Sequence, residues 1–378
     1  MKQFSLRESY IWMNHVKTFR ISDFKKLKKL YGDFQGICDG LFNSSDDELE
    51  RLKDAEMLKD ETLDEIVSMK DGRWRENLER KLESKGIGVT TLADEDYPQR
   101  LRTIPDAPKV IYYRGNLALT EEEITIGIIG TRRPTYYGVA MAGQFAAELS
   151  QMGMVVISGL ALGIDEKSHR AALDAGGKTI AVLGCGVDIC YPQNNMASFL
   201  EICEKGLLLS EYEPGYPPLR NNFPARNRII SGLSDGLLVV EAAMQSGTLI
   251  TADCALEQGK EVFAIPGRAS DLLSKGTNSL IKQGAMLVDA PIDIVMDMMN
   301  IDIPVEKIER KGRRGDNIYG LNEDEKNILS NLGYEPVYID DLVRVNRMDV
   351  SGTLSILRKL EQKKLITNVE QSYYVLAK

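Results

Sequence analysis

From residue 124 to residue 267 the chain keeps to one pattern of apolar and polar positions. A short, uninterrupted apolar run closes on glycine or a small residue, and a longer segment follows whose apolar residues return every three or four positions. ITIGIIG leads into YYGVAMAGQFAAELSQMG, MVVISG into DEKSHRAALDAGG, and GLLVVEAA into TLITADCALEQGK, while TIAVLG, GLLLSEY and EVFAIPG supply further runs. Strands that are apolar on both sides and alternate with helices imply a parallel sheet covered on both faces. Residues 89–298 are therefore expected to form an α/β domain, an extended Rossmann-like doubly wound sheet. In such sheets ligands bind beyond the carboxyl ends of the strands, where this chain places its glycines.

The flanks follow a different rhythm. Residues 1–88 contain SDFKKLKKLYGDF, SDDELERLKDAEML and RWRENLERKLESKG, which predict a small helical domain with Ser22, Ser45 and Thr62 at capping positions. Its lysines read mainly as a solvated face. Residues 299–316 carry charge without an apolar period and read as a linker. In residues 317–378, three helical segments precede ITNVEQSYYVLAK, whose apolar residues pair off as a hairpin, so a winged-helix domain is expected.

Composition adds limits. A length of 378 residues favours two or three domains, and 43% hydrophobic with 27% charged residues is ordinary for a globular protein. The first residues lack a signal-peptide pattern and no run of about 18 apolar residues occurs, so a cytoplasmic protein without a membrane span is expected. Five cysteines without a paired framework read as reduced thiols, and two histidines without a Cys-x-x-Cys pair make a zinc site a poor expectation. No cofactor is expected, although carboxylate-held magnesium stays open. The net charge of -9 does not exclude nucleic acid, because binding needs only a local basic patch.

Candidate chemistry gathers where strands hand over to helices. In GIIGTRRPTYYG, Gly130 and Thr131 lead into Arg132 and Arg133 at a helix N-terminus, whose free N–H groups and dipole attract an anion. The dinucleotide glycine spacing and the ribose-holding acid are missing, which argues against NAD. SGLALGIDEKSH repeats the device with Ser158, Gly159, Leu160, Ala161 and Gly163; Asp165 suits a helix cap and His169 a packed helix position. Gly184 and Gly186 loosen the next turn, and Ser246, Gly247 and Thr248 open another helix with hydroxyls and free backbone donors. Glu241 faces the same crevice, to bind a sugar hydroxyl or to pair with an arginine. In NNFPARNRIISG no acid lies between Glu213 and Asp235, so Arg226 and Arg228, with Asn227 between them, are expected to grip phosphates while Phe223 stacks on an unpaired base. The competing arrangement has Phe223 in the core and the arginines paired with Glu211 or Glu241.

GTRRPTYYG, SGLALGIDEKSHRAAL, LGCGVDICYPQNN, the long segment from SEYEPGYPPLRNNFPARNRIISG to EVFAIPG, and GTNSLIKQGA together resemble the motif series of the DNA processing protein A (DprA, or Smf) family. The resemblance covers the central domain nearly end to end. It implies a homodimeric protein that binds and protects incoming single-stranded DNA and helps load the RecA recombinase during natural transformation; with Glu241 as the sole candidate acid, no enzyme is expected. It also implies a DNA pocket including Arg132, Ser158, Gly159, Phe223, Arg226, Asn227 and Arg228, an N-terminal domain of sterile-alpha-motif type, and a C-terminal winged helix. Two other functions fit parts of the chain. A nucleotide phosphoribohydrolase-like enzyme would use Glu241, although MQSGTLITA replaces the Gly-Gly-x-Gly-Thr loop of that group. A duplex-binding regulator would use DVSGTLSILRKLEQKKL as its recognition helix, but asparagines and arginines suited to base reading are scarce there.

Overall fold

The computed structural model describes residues 3–122, 124–299, 321–370 and 372–376. Among these, the centre of the chain is a nine-stranded sheet built from β1 (Gly88–Thr91), β2 (Val110–Gly115), β3 (Thr125–Ile129), β4 (Val155–Ser158), β5 (Thr179–Val182), β6 (Leu207–Ser210), β7 (Gly236–Val239), β8 (Glu261–Ala264) and β9 (Met286–Leu287). Their spatial order is β1-β2-β6-β5-β4-β3-β7-β8-β9. The seven strands from β6 to β9 run parallel; β2 joins β6 antiparallel, and β1 pairs antiparallel with β2 at the edge, so that β1 runs in the same direction as the seven. This is the expected α/β class.

Alternation along each strand divides the apolar residues between two cores. Ile126 and Ile128 of β3 join Val156 and Leu238 on one face, beneath Phe145, Ala146 and Leu149 of the helix Tyr136–Gln151. Ile129 turns the other way, to Val155, Ile157 and Val239, covered by Ile229, Ile230 and Leu233 of the helix Asn222–Leu233. Every residue of β3 to β7 is buried, which explains why these strands read as continuous apolar runs. The chain winds outward from β3 through β4 and β5 to β6, then crosses back to β7 on the other side of β3. The carboxyl end of β3 is therefore the point where the winding reverses, the place at which sheets of this kind bind their ligands.

Residues 6–85 form six helices around Trp12, Leu27, Ile37, Leu41 and Ile66. Ser45 caps Asp46–Asp54 reciprocally with Glu48, as expected. Ser22 and Thr62 do not cap. Both lie inside helices, and the buried Thr62 receives a hydrogen bond from the Thr18 hydroxyl at 2.9 Å. These helices hold the sheet through Arg7 and Asp94, Lys85 and Asp188 (2.5 Å), and Glu213, which receives both His15 (3.0 Å) and Lys17 (2.6 Å). The expected boundary after residue 88 falls within β1, and all of the expected linker except Met299 lies outside the described residues. Beyond it, helices Glu323–Ser330, Ile339–Asn346 and Val350–Gln362 pack on a small antiparallel sheet of β10 (Val337–Tyr338), β11 (Ile366–Glu370) and β12 (Tyr373–Leu376), the last two forming the expected hairpin. No described helix is long and apolar enough to cross a membrane.

Candidate functional site

At the carboxyl end of β3 the chain leaves the sheet through Gly130 and Thr131 and enters the helix Tyr136–Gln151, capped by Thr135, whose hydroxyl accepts the Gly138 N–H at 3.0 Å. Arg132 and Arg133 stand on this loop, exposed, and among the described residues neither guanidinium has an ion-pair partner. The neighbouring loop after β4 packs directly against it: the Ile164 N–H reaches the Thr131 carbonyl at 3.3 Å. Gly163 makes that approach possible, because it has a φ of +86° and a Cβ there would lie 2.5 Å from the Thr131 oxygen. Two helix N-termini and two uncompensated arginines thus share one rim.

Beneath the rim lies Arg226, 4% exposed. Its guanidinium donates to the carbonyls of Gly159 (2.8 Å) and Val182, tying the ends of β4 and β5 together. Glycine at 159 leaves room for this guanidinium, since a Cβ there would meet Nη2 of Arg226 at 2.5 Å. Ser158 is also buried and spends its hydroxyl on the Ile128 carbonyl at 2.6 Å, while buried Leu160, at φ +53°, offers its carbonyl to Asn195 Nδ2 at 2.9 Å. Buried Asp165 does not cap its helix; it accepts the Gly159 N–H at 3.2 Å. Burial raises the Asp165 carboxyl, with the Arg226 charge opposing, and burial lowers the Arg226 guanidinium to about 10, so that it stays cationic at neutral pH. His169, held to Thr179 Oγ1 at 2.6 Å, is pushed by burial and by Arg226 to about 3 and is neutral, a packed helix residue as expected.

Arg228 is compensated as well. It donates from Nε to the Asp106 carbonyl at 2.9 Å, from Nη1 to the Ala225 carbonyl at 3.0 Å, and from Nη2 to both Glu211 oxygens at 2.8 and 2.9 Å. The run between Glu213 and Asp235 lacks acids, yet the fold brings Glu211 from the end of β6. The pairing of Arg228 with Glu211 is the competing arrangement, and Arg226 and Arg228 stand in this structure as braces rather than as free cations. Phe223 differs from them. It is half-buried with its ring against Gly184, and it meets Tyr191 (centroids 5.5 Å apart) and the Arg132 guanidinium (5.7 Å) at the rim.

Residues 88–299 match the family model for DNA recombination-mediator protein A. The chain belongs to this family. It is 42% identical over 214 residues to the DNA processing protein DprA of Bacillus subtilis, an alignment spanning 57% of this chain and 72% of that one. It is 44% identical over 207 residues to DprA of Streptococcus pneumoniae, covering 55% and 73%. The X-ray structure of the Streptococcus pneumoniae protein superposes with a TM-score of 0.64 at 34% identity, over 78% of this chain and 99% of that chain. DNA processing protein A of Helicobacter pylori, a structure addressing its single-stranded DNA binding mode, superposes with a TM-score of 0.52 at 34% identity, over 56% and 96%.

The remaining motifs of the DNA recombination-mediator domain divide in the same manner between surface and support. Ser246, Gly247 and Thr248 open the helix Gly247–Glu257 beside Asn227, whose Nδ2 approaches the Gly247 carbonyl at 3.4 Å, and Ala161 is half-buried on the loop after β4. Among the described residues Glu241 binds no arginine. Its carboxylate takes the Thr135 hydroxyl (2.5 Å) and N–H (3.0 Å) and fills the space a Gly138 Cβ would need. Burial raises its pKa against those hydrogen bonds. One rim residue escaped the sequence reading: Tyr191, 45% exposed, whose ring meets Phe223. Nothing local in the sequence marks it. Among the described residues no cluster of three or more metal-ligating groups occurs.

Proposed function

We propose that this protein binds single-stranded DNA along the rim at the carboxyl end of β3, as a cytoplasmic homodimer without catalytic activity, protecting the strand and helping to load RecA onto it during natural transformation. The observation that carries the proposal is the meeting of Arg132 with the half-buried Phe223 ring at a rim supplied with helix N-termini. Charge there serves phosphates, and an aromatic face serves a base that is not paired, which a duplex does not offer. Membership of the DNA recombination-mediator protein A family and likeness to the Helicobacter pylori protein support the same ligand. The site comprises Gly130, Thr131, Arg132, Arg133, Ala161, Gly163, Phe223, Asn227, Ser246, Gly247 and Thr248 at the rim, with Ser158, Gly159, Leu160, Arg226 and Arg228 shaping it from below. The charged, compact tail from 321 to 376 is proposed as a winged-helix accessory domain.

Against the phosphoribohydrolase alternative, both Glu241 oxygens accept hydrogen bonds from Thr135, a bracing role for its candidate acid. Competition between labelled oligothymidine and duplex of equal length tests the proposal. The single strand is expected to win, and equal displacement by duplex would refute it. Nucleoside monophosphates incubated with the protein are expected to release no free base.

A further inference from the structure

Resting on the single-strand assignment above, we propose that Tyr191 and Phe223 form a two-ring slot that takes one unpaired base, with Arg132 at its mouth. The ring centroids lie 5.5 Å apart and the planes are inclined by 37°, a wedge rather than a closed stack. A base held between two rings requires roughly 7 Å, the upper end of aromatic pair separations, so one ring has to swing outward. Phe223 is the fixed wall. Its ring lies on Gly184, where a Cβ would come within 3.0 Å, and the preceding Asn222 donates to the Gly184 carbonyl at 2.9 Å.

Tyr191 is the free wall. It is 45% exposed, and among the described residues its hydroxyl makes no hydrogen bond. Its loop is nonetheless held on both sides, by Cys190 Sγ to the Pro192 carbonyl at 3.3 Å and by Asn195 Nδ2 to the Leu160 carbonyl. Ring motion therefore does not require loop motion. A tyrosine left this exposed beside a half-buried phenylalanine gains burial only when something flat enters between them or lies across them. Arg132, 5.7 Å from the Phe223 ring, is within reach of the phosphate attached to such a base.

The test measures wild type, Tyr191→Ala, Tyr191→Leu, Tyr191→Phe and Phe223→Ala with fluorescent oligothymidine, and with single strands carrying 2-aminopurine at successive positions. Tyr191→Ala and Tyr191→Leu are each expected to weaken binding by about 5- to 150-fold, the usual effect of removing one base stack. The log–log salt slope and the melting temperature should stay unchanged. Tyr191→Phe is expected to keep wild-type affinity, and 2-aminopurine quenching at one position should vanish in Tyr191→Ala. Binding by Tyr191→Ala at wild-type strength overturns the slot, as does full rescue by Tyr191→Leu, which restores packing on Phe223 without a π face. If either occurs while Phe223→Ala still weakens binding, the single-strand assignment stands and the slot alone falls. Failure of the wild-type protein to bind any single strand overturns both.

Discussion

Arg226→Ala separates a brace from a ligand contact. In the folded protein this guanidinium is 4% exposed, and it donates to the carbonyls of Gly159 and Val182. Truncation leaves these two buried strand-end carbonyls without their donor. Leaving a buried acceptor unsatisfied costs about 1–3 kcal/mol, so the two together cost about 2–6 kcal/mol. For a region the size of residues 88–299, each kcal/mol moves the melting temperature by about 2–4 °C, so a fall of about 4–24 °C is expected. An exposed guanidinium such as Arg132 should change stability by no more than about 0.5 kcal/mol when truncated. The assay pairs thermal unfolding with oligothymidine binding across a salt series, measured well below the lowered transition. Arg226→Ala should melt early yet keep the wild-type log–log salt slope. An unchanged melting temperature with a slope flattened by about 0.7 would mean that Arg226 touches a phosphate, and would refute the bracing role.

Gly159→Ala should destabilise the central sheet by about 1–3 kcal/mol in thermal unfolding, because its Cβ would lie 2.5 Å from Nη2 of the fixed Arg226. Arg228→Ala should cost about 1–3 kcal/mol through the unpaired Glu211, again without changing the salt slope of DNA binding. Burial alone would raise the Glu213 carboxyl, but hydrogen bonds from His15 and Lys17 overcome it and hold the group at about 2. Because the folded value lies below the ordinary carboxylate value of about 4.3, the stabilisation is complete above that pH and is lost as pH falls toward about 2. Acid unfolding of Glu213→Gln should therefore be flatter than that of wild type over this window.

The doubly wound centre was legible because β3 to β7 are buried on both faces, which removes polar residues from every position and leaves plain apolar runs. The antiparallel strands β1 and β2 were not recognised as part of the sheet, since GVTT and VIYYRG mix polar and apolar residues and lack the plain apolar run of the central strands. Ser22 and Thr62 looked like caps because serine and threonine favour helix starts, but Arg20 and Lys59 precede their helices. The arginines misled for a different reason. Counting acids between Glu213 and Asp235 measures separation along the chain, whereas Glu211 meets Arg228, and the Gly159 and Val182 carbonyls meet Arg226, through tertiary packing. Arg132 and Arg133 were legible as rim cations because their position depends only on the strand-to-helix turn that carries them.

Everything proposed for this protein turns on the exposed cations at the end of β3 holding the phosphates of a single strand. Salt dependence of oligothymidine binding decides it, measured for Arg132→Ala/Arg133→Ala beside wild type and Arg51→Ala, an exposed arginine on the N-terminal helices. The slope is expected to fall by about 1.4 in the double variant, or about 0.7 for each phosphate no longer neutralised, and to stay unchanged in Arg51→Ala. A double variant that retains the wild-type slope, or one that loses no more affinity than Arg51→Ala, would contradict the assignment.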